Sequence, residues 1–206
     1  MLLLDLFSGT GSVAKVAVTK GYGVITLDRD SPAYFQTDIM DFDYRELDPH
    51  AFHFVWASPP CTEYSRAKTT GVRKIEEANE IVKRTLEIIE YLEPEVWVIE
   101  NPQTGLLKEQ DFMRDIPFID VDYCKYGFPY RKRTRLWSNK ASSLRLKPLC
   151  NKDCDSMDEG RKKHKESAQR LPHGHSSTWG EQVKHCQRDL YKIPEGLIND
   201  VLDSAS

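Results

Sequence analysis

Cys61 follows two prolines, in Ser58-Pro59-Pro60-Cys61. Two prolines stiffen a turn and leave it few backbone donors, so the next side chain is presented in a fixed place. A cysteine held there becomes a nucleophile once its thiolate is stabilised. Free cysteines are also common, inert core residues, and Cys124 reads as one of these. At Cys61 the rigid turn favours the chemical reading. Glu100-Asn101-Pro102 closes an apolar run through Val96, Val98 and Ile99. A carboxyl emerging from so dry a strand is expected to have a raised pKa and to exist partly as the acid. A lone glutamate is more often a cap or an ion-pair partner, but this one ends a strand at the same sheet edge as Cys61. A nucleophile and an acid at one edge are the parts of covalent catalysis.

A third constellation is Asp5-Leu6-Phe7-Ser8-Gly9-Thr10-Gly11. Glycines at a strand-to-helix turn let a ligand approach the backbone closely. The spacing Gly9-x-Gly11-x-x-Ala14 matches the dinucleotide fingerprint, and Asp28, at the end of the next strand, is placed to hold ribose hydroxyls. By itself the motif indicates an adenosine-containing cofactor, without choosing NAD or S-adenosylmethionine, and a simple tight turn would look the same.

These residues need elements to hold them. Apolar runs at residues 2–7, 23–27, 52–57, 95–99, 119–124 and 136–138 read as strands. Residues 12–19 can be helical, and residues 74–92 carry Ile75, Ala78, Ile81, Val82, Thr85, Ile88, Ile89 and Leu92 at helical spacing. Strands alternating with helices predict an α/β protein with a mostly parallel sheet and helices on both faces. Ligands of such sheets bind beyond the carboxyl ends of the strands, where the motifs above fall. Residues 139–189 are polar and show no regular period. After Pro194, the apolar residues Leu197, Ile198, Val201 and Leu202 form one helical stripe expected to dock on the sheet. The expected organisation is a core at 1–138, an insert at 139–190 and a docking C-terminal helix at 191–206.

The chain has 206 residues and a net charge of −3. It holds no apolar run of about 18 residues, so no membrane span is expected. Five cysteines at irregular spacing fit a reducing, intracellular setting rather than a disulfide framework. No acid occurs from Tyr123 to Lys152, and from Lys125 to Lys152 the stretch carries nine lysines and arginines. Charge of one sign over about 30 residues repels itself, and a polyanion would relieve it, so nucleic acid is the expected partner.

In this order, the pieces resemble the DNA cytosine-5 methyltransferase family over residues 1–138. Asp5, Phe7, Ser8, Gly9, Thr10 and Gly11 resemble its cofactor loop. Asp28 and Asp38, with Ile39, stand where its ribose-binding and adenine-binding residues lie. Ser58 and Pro59 lead into a segment, 59–65, like its nucleophile loop. Glu100-Asn101 resembles its Glu-Asn element, and Arg133-x-Arg135 its paired arginines. The resemblance implies a Rossmann-like methyltransferase fold, S-adenosylmethionine as cofactor, DNA as partner, and a bacterial or viral protein acting inside a cell. It implies that Cys61 attacks carbon 6 of a flipped-out cytosine, that Glu100 bonds ring nitrogen N3, that Arg133 and Arg135 orient the base or a phosphate, and that residues 62–74 close over the site.

The sequence departs from that family at Pro102, where valine is usual, and at Arg131, where glutamine is usual. Residues 191–198 replace a Gly-Asn-x-x-Pro element, and the target-recognition domain is reduced to residues 139–189. Other readings are an RNA cytosine-5 methyltransferase, an amino-methyltransferase (whose Pro-Pro turn is followed by an aromatic residue), a non-enzymatic DNA-binding relative, and, last, an NAD oxidoreductase. Within the polar insert, Cys150 and Cys154 with His164, and further His173, His175, His185 or Cys186, are candidates for a structural zinc.

Overall fold

The structure, a computed structural model, describes residues 1–69, 71–160, 163–164 and 191–204. In chain order the strands and α-helices are β1 (Leu2–Leu6), α1 (Ser12–Thr19), β2 (Gly23–Leu27), β3 (Phe54–Ala57), α2 (Ile75–Leu92), β4 (Val96–Pro102), β5 (Phe118–Asp122), β6 (Arg133–Ser138) and α3 (Glu195–Ser204). Among the described residues the strands form one six-stranded sheet, ordered β2-β1-β3-β4-β6-β5. β1 pairs in parallel with β2 and with β3, and β3 pairs in parallel with β4. The predicted mostly parallel sheet therefore holds over four strands. β6 enters between β4 and β5 and is antiparallel to both.

Strand side chains alternate between two cores. Leu3, Phe54, Trp56, Val96, Val98 and Leu136 face one side, where α1 and α3 cover them with Val13, Val16, Leu197, Ile198, Val201 and Leu202. Leu4, Leu6, Val55, Ala57, Ile99 and Trp137 face the other, under Val82, Ile88 and Leu92 of α2. The four apolar residues of α3 are fully buried, which is the docking predicted for that stripe.

The termini of α2 follow from local chemistry. Lys74 precedes the helix without a side-chain cap, but its amide donates to Glu63 Oε2 at 2.8 Å, and Glu76 and Glu77 lie in the first turn, where the helix dipole favours acids. The helix ends on Glu93, which adopts a left-handed conformation and donates its amide to Ile89.

Two strand limits differ from expectation in ways that matter for the site. β4 runs on through Glu100, Asn101 and Pro102, because β6 pairs with it as far as Pro102↔Thr134. β6 begins at Arg133, not at Leu136. Charged residues are tolerated there because the adjacent strand sets carboxylates directly opposite them. No helix among the described residues is long and apolar enough to cross a membrane.

Candidate active site

A cavity of about 600 Å³ opens beyond the carboxyl ends of β1 to β4. Its wall begins with the β1–α1 turn. Phe7, Gly9 and Gly11 all have positive φ, at 62°, 48° and 69°. Glycine takes this conformation freely, whereas Phe7 is held in it at a cost, a feature that concentrates at ligand sites. Asp28 clasps the turn from below. Its Oδ2 accepts the Gly9 amide at 2.8 Å, and its Oδ1 accepts the amides of Asp30 at 2.9 Å and Ser31 at 2.6 Å. Asp38 accepts the Met40 amide and meets Arg29, with Ile39 buried beside it. Asp5, Phe7, Ser8, Gly9, Thr10, Asp28, Asp38, Ile39, Ser58 and Pro59 all line the cavity, and Gly11 shapes the turn without lining it.

Asp5 is buried, and its Oδ2 has no hydrogen-bond partner. Burial, opposed by the Ala14 amide and reinforced by Asp28, pushes its pKa up to about 8, so the carboxyl is mostly neutral at pH 7.

The far wall carries the candidate nucleophile and the candidate acid. Cys61 and Glu100 both line the cavity. Asn101 Nδ2 donates to the Pro59 carbonyl at 2.9 Å, and Trp56 Nε1 donates to Ser58 Oγ at 3.1 Å, fixing the Pro-Pro-Cys turn from beneath. Glu100 Oε1 accepts the Tyr123 hydroxyl at 2.9 Å and lies 3.7 Å from Lys132 Nζ. Burial and the adjacent Glu100 charge hold the Tyr123 phenol well above its ordinary pKa, so its O–H remains a donor. Removal from water pushes the Cys61 thiol up; the Lys132 ammonium opposes this and Glu100 adds to it. In the unliganded site Cys61 is therefore a thiol, and Lys132 is the nearby charge that favours its ionisation.

No protein-family model matches the chain. A protein of Frog virus 3 (isolate Goorha), named Probable DNA (cytosine-5)-methyltransferase, is 33% identical over 222 residues, covering 98% of this chain and 99% of that protein. The chain belongs to the DNA (cytosine-5)-methyltransferase family. Among solved structures, an Escherichia coli prophage protein assigned as a DNA modification methyltransferase superposes with a TM-score of 0.51 at 18% identity. That match covers 71% of this chain and 49% of the other, so this chain spans about half its length, and the likeness is one of fold. Membership of the methyltransferase family implies S-adenosylmethionine as methyl donor.

The arrangement departs from the family expectation at the paired arginines. Arg133 and Arg135 do not line the cavity. Each lies directly across the β5–β6 ladder from a carboxylate. Arg133 grips Asp122 at 3.0 and 2.7 Å, and Arg135 grips Asp120 at 2.8 and 3.0 Å while lying 3.4 Å over the Phe118 ring. Lys132, between them in sequence, lines the cavity instead, as do Arg29 and Lys192. The basic stretch is likewise largely matched. Arg131 also meets Asp122, Lys132 meets Glu100, and Lys125 meets Asp153 at 2.8 Å. The stretch lacks acids along the chain, but Asp120, Asp122, Glu100 and Asp153, all outside it, meet five of its nine cations.

The loop at residues 62–74 is pinned on itself around Glu63, whose carboxylate takes Lys68 Nζ at 2.6 Å and the Lys74 amide. Arg73 bonds the carbonyls of Glu63, Ser65 and Lys68. Tyr64 anchors the loop in the core, with its hydroxyl donating to Asn79 at 2.9 Å. Lys132 and Tyr191, which line the cavity, and Tyr123, which bonds Glu100 from behind it, were not anticipated from the sequence. Tyr123 carried no signal beyond its place at a strand end; Lys132 lay inside the arginine motif; Tyr191 opened the segment aligned with the family's missing C-terminal element. Cys124, expected to be an inert core cysteine, is buried but stands with Cys150, Cys154 and His164, their ligand atoms all within 4.8 Å of one another. His173, His175, His185 and Cys186 lie outside the described residues.

Proposed function

We propose that this chain transfers the methyl group of S-adenosylmethionine to carbon 5 of cytosine in DNA through a covalent bond between Cys61 and carbon 6. What carries this reading is the single cavity shared by Cys61, Glu100 and the β1–α1 turn. The viral relative, named a probable DNA (cytosine-5)-methyltransferase, supports cytosine in DNA as the substrate.

The residues present fit the cofactor. The cavity has room for a nucleoside with a side arm; Asp28 and Asp38 at its rim suit hydroxyl and amine donors, and Asp5 leaves a buried oxygen without a partner. Asp5, Phe7, Asp28, Asp38 and Ile39 would hold it, with Ser58 and Pro59 toward the reacting end. When bound, S-adenosylmethionine supplies an electrophilic methyl group.

The protein's own part begins at Cys61. Its thiolate forms a bond to carbon 6, and the electrons of the carbon 5–carbon 6 double bond move toward carbon 5. A proton shared between Glu100 and N3 stabilises the charge that develops on the ring, and the Tyr123 hydroxyl holds Glu100 in place for it. After methylation a base takes the carbon-5 proton, the electrons return to the ring, and the sulfur–carbon bond breaks. The target base must leave the stack to reach the cavity. Lys132 lowers the cost of the Cys61 thiolate. Arg133 and Arg135 act at one remove by fixing β6, which Lys132 immediately precedes.

The test is incubation with tritiated S-adenosylmethionine and mixed-sequence duplex DNA, followed by nucleoside analysis. Label in 5-methylcytosine that disappears in Cys61→Ser is the expected result. Label in N4-methylcytosine or N6-methyladenine, or full activity in Cys61→Ser, would overturn it.

A further inference from the structure

Away from the cavity, three cysteines and one histidine converge from three places in the chain. Cys124 lies in the 3-10 turn Tyr123–Tyr126 that follows β5. Cys150 and Cys154 bracket a tight loop in which Lys152 adopts φ 61°. His164 is delivered by an antiparallel bridge to Met157, supported by the Asp158 amide on the Lys163 carbonyl at 2.9 Å. Cys150 Sγ and His164 Nε2 are 3.7 Å apart. The three cysteines are buried and unbridged.

A tetrahedral zinc with bonds of about 2.3 Å to sulfur and 2.0–2.1 Å to nitrogen sets its ligand atoms about 3.5–3.8 Å apart. Four ligand atoms mutually within 4.8 Å match that polyhedron with small side-chain movements. The surroundings point the same way. Residues 150–164 hold one large apolar side chain, Met157, and cannot build a core of their own. The segment is nevertheless tied to the sheet, with the Cys150 amide donating to buried Asp122 Oδ2 at 3.0 Å and the Ser156 hydroxyl donating to the Phe128 carbonyl. The amides of Lys152 and Asp153 are directed at the Cys150 sulfur, an arrangement suited to a metal-bound thiolate.

We infer that Cys124, Cys150, Cys154 and His164 bind one zinc ion as a closed, structural Cys₃His site that fastens residues 150–164 to the end of β5. Four protein ligands leave no open position, so the ion has no part in the reaction chemistry. The site adjoins Tyr123, and the zinc would keep the support of Glu100 in place through the backbone.

The experiment uses the full chain purified under reducing conditions. Elemental analysis should find about one zinc per chain, and Cys154→Ala and His164→Ala should each fall below about half an equivalent, while Cys61→Ala keeps it. Because those variants could fail to fold, the wild-type protein is also exchanged with cobalt(II). Strong visible bands of tetrahedral cobalt, with thiolate charge transfer, are expected. Wild-type protein holding under about half an equivalent, octahedral cobalt, or full zinc retention in both ligand variants would overturn the inference.

Discussion

Asn101 reaches from β4 to the carbonyl of Pro59, 2.9 Å away, and so joins the strand that carries Glu100 to the turn that carries Cys61. The bond is buried and spans 42 positions of sequence. It couples the positions of Cys61 and Glu100, the proposed reactive pair. Removing it should therefore alter the chemical step more than the binding of cofactor. Asn101→Ala should cost about 1–3 kcal/mol of stability. It should lower the single-turnover rate about tenfold or more, since a small displacement of a positioned nucleophile is expensive. Cofactor affinity by calorimetry should stay within about threefold. Equal losses in rate and affinity would argue against a positioning role.

Lys132 is the positive charge that counters the upward push of burial on the Cys61 thiol. In Lys132→Met that push loses its largest opponent. Alkylation of Cys61, followed on its own peptide by mass spectrometry across pH, should then require a more alkaline solution. The acidic limb of the rate profile should move the same way. An unchanged profile would remove Lys132 from the nucleophile's environment.

Asp5 ties stability to pH. Its pKa in the folded chain, about 8, lies above the ordinary 3.8. The native state therefore keeps a proton that the unfolded chain releases, and stability falls as pH rises from about 4 to about 8, then levels off. Asp5→Asn retains the shape and an acceptor for the Ala14 amide but cannot ionise. Its melting temperature should exceed that of the wild type at pH 8 and approach it near pH 4. Parallel melting curves for the two proteins would show that Asp5 is not the linked group.

Arg133 and Arg135 separate a bracing role from a substrate role. Asp122 is fully buried, and Arg133 is its closest partner, so Arg133→Met leaves the buried carboxylate with only Arg131 and the Cys150 amide and should cost about 3 kcal/mol. Asp120 is partly exposed, and Arg135→Met should cost about 1 kcal/mol. Both variants, assayed well below their melting temperatures, should keep DNA affinity within about threefold. A large loss of affinity with unchanged stability would return these arginines to the substrate.

The parallel half of the sheet was readable because each strand there holds a largely apolar run that gives way to a glycine, proline or acid. Cys61, Glu100 and the β1–α1 turn announced themselves through unusual residues at those stops. The antiparallel half was not readable in the same way. β6 opens with Arg-Thr-Arg, a pattern that resembles a loop until Asp120 and Asp122 are seen opposite. The same long-range pairing hid the neutralisation of the basic stretch. Cys124 looked inert because its companions lie 26, 30 and 40 positions downstream, distances at which spacing carries no information.

The cavity is walled at one side by Asp5, the turn from Phe7 to Thr10, Ser12 and Val13, and at another by Tyr191, Lys192 and Ile193. Lys20 meets Asp203, and α3 fills the core over Leu3 and Val13. A ribosome releases the first of these parts well before the second. The β1–α1 turn leaves the exit tunnel first, yet the cavity stays open-sided, and Leu3 and Val13 uncovered, until α3 has emerged. A walled cavity is thus a property that a growing chain gains only when α3 folds back onto β1 and α1.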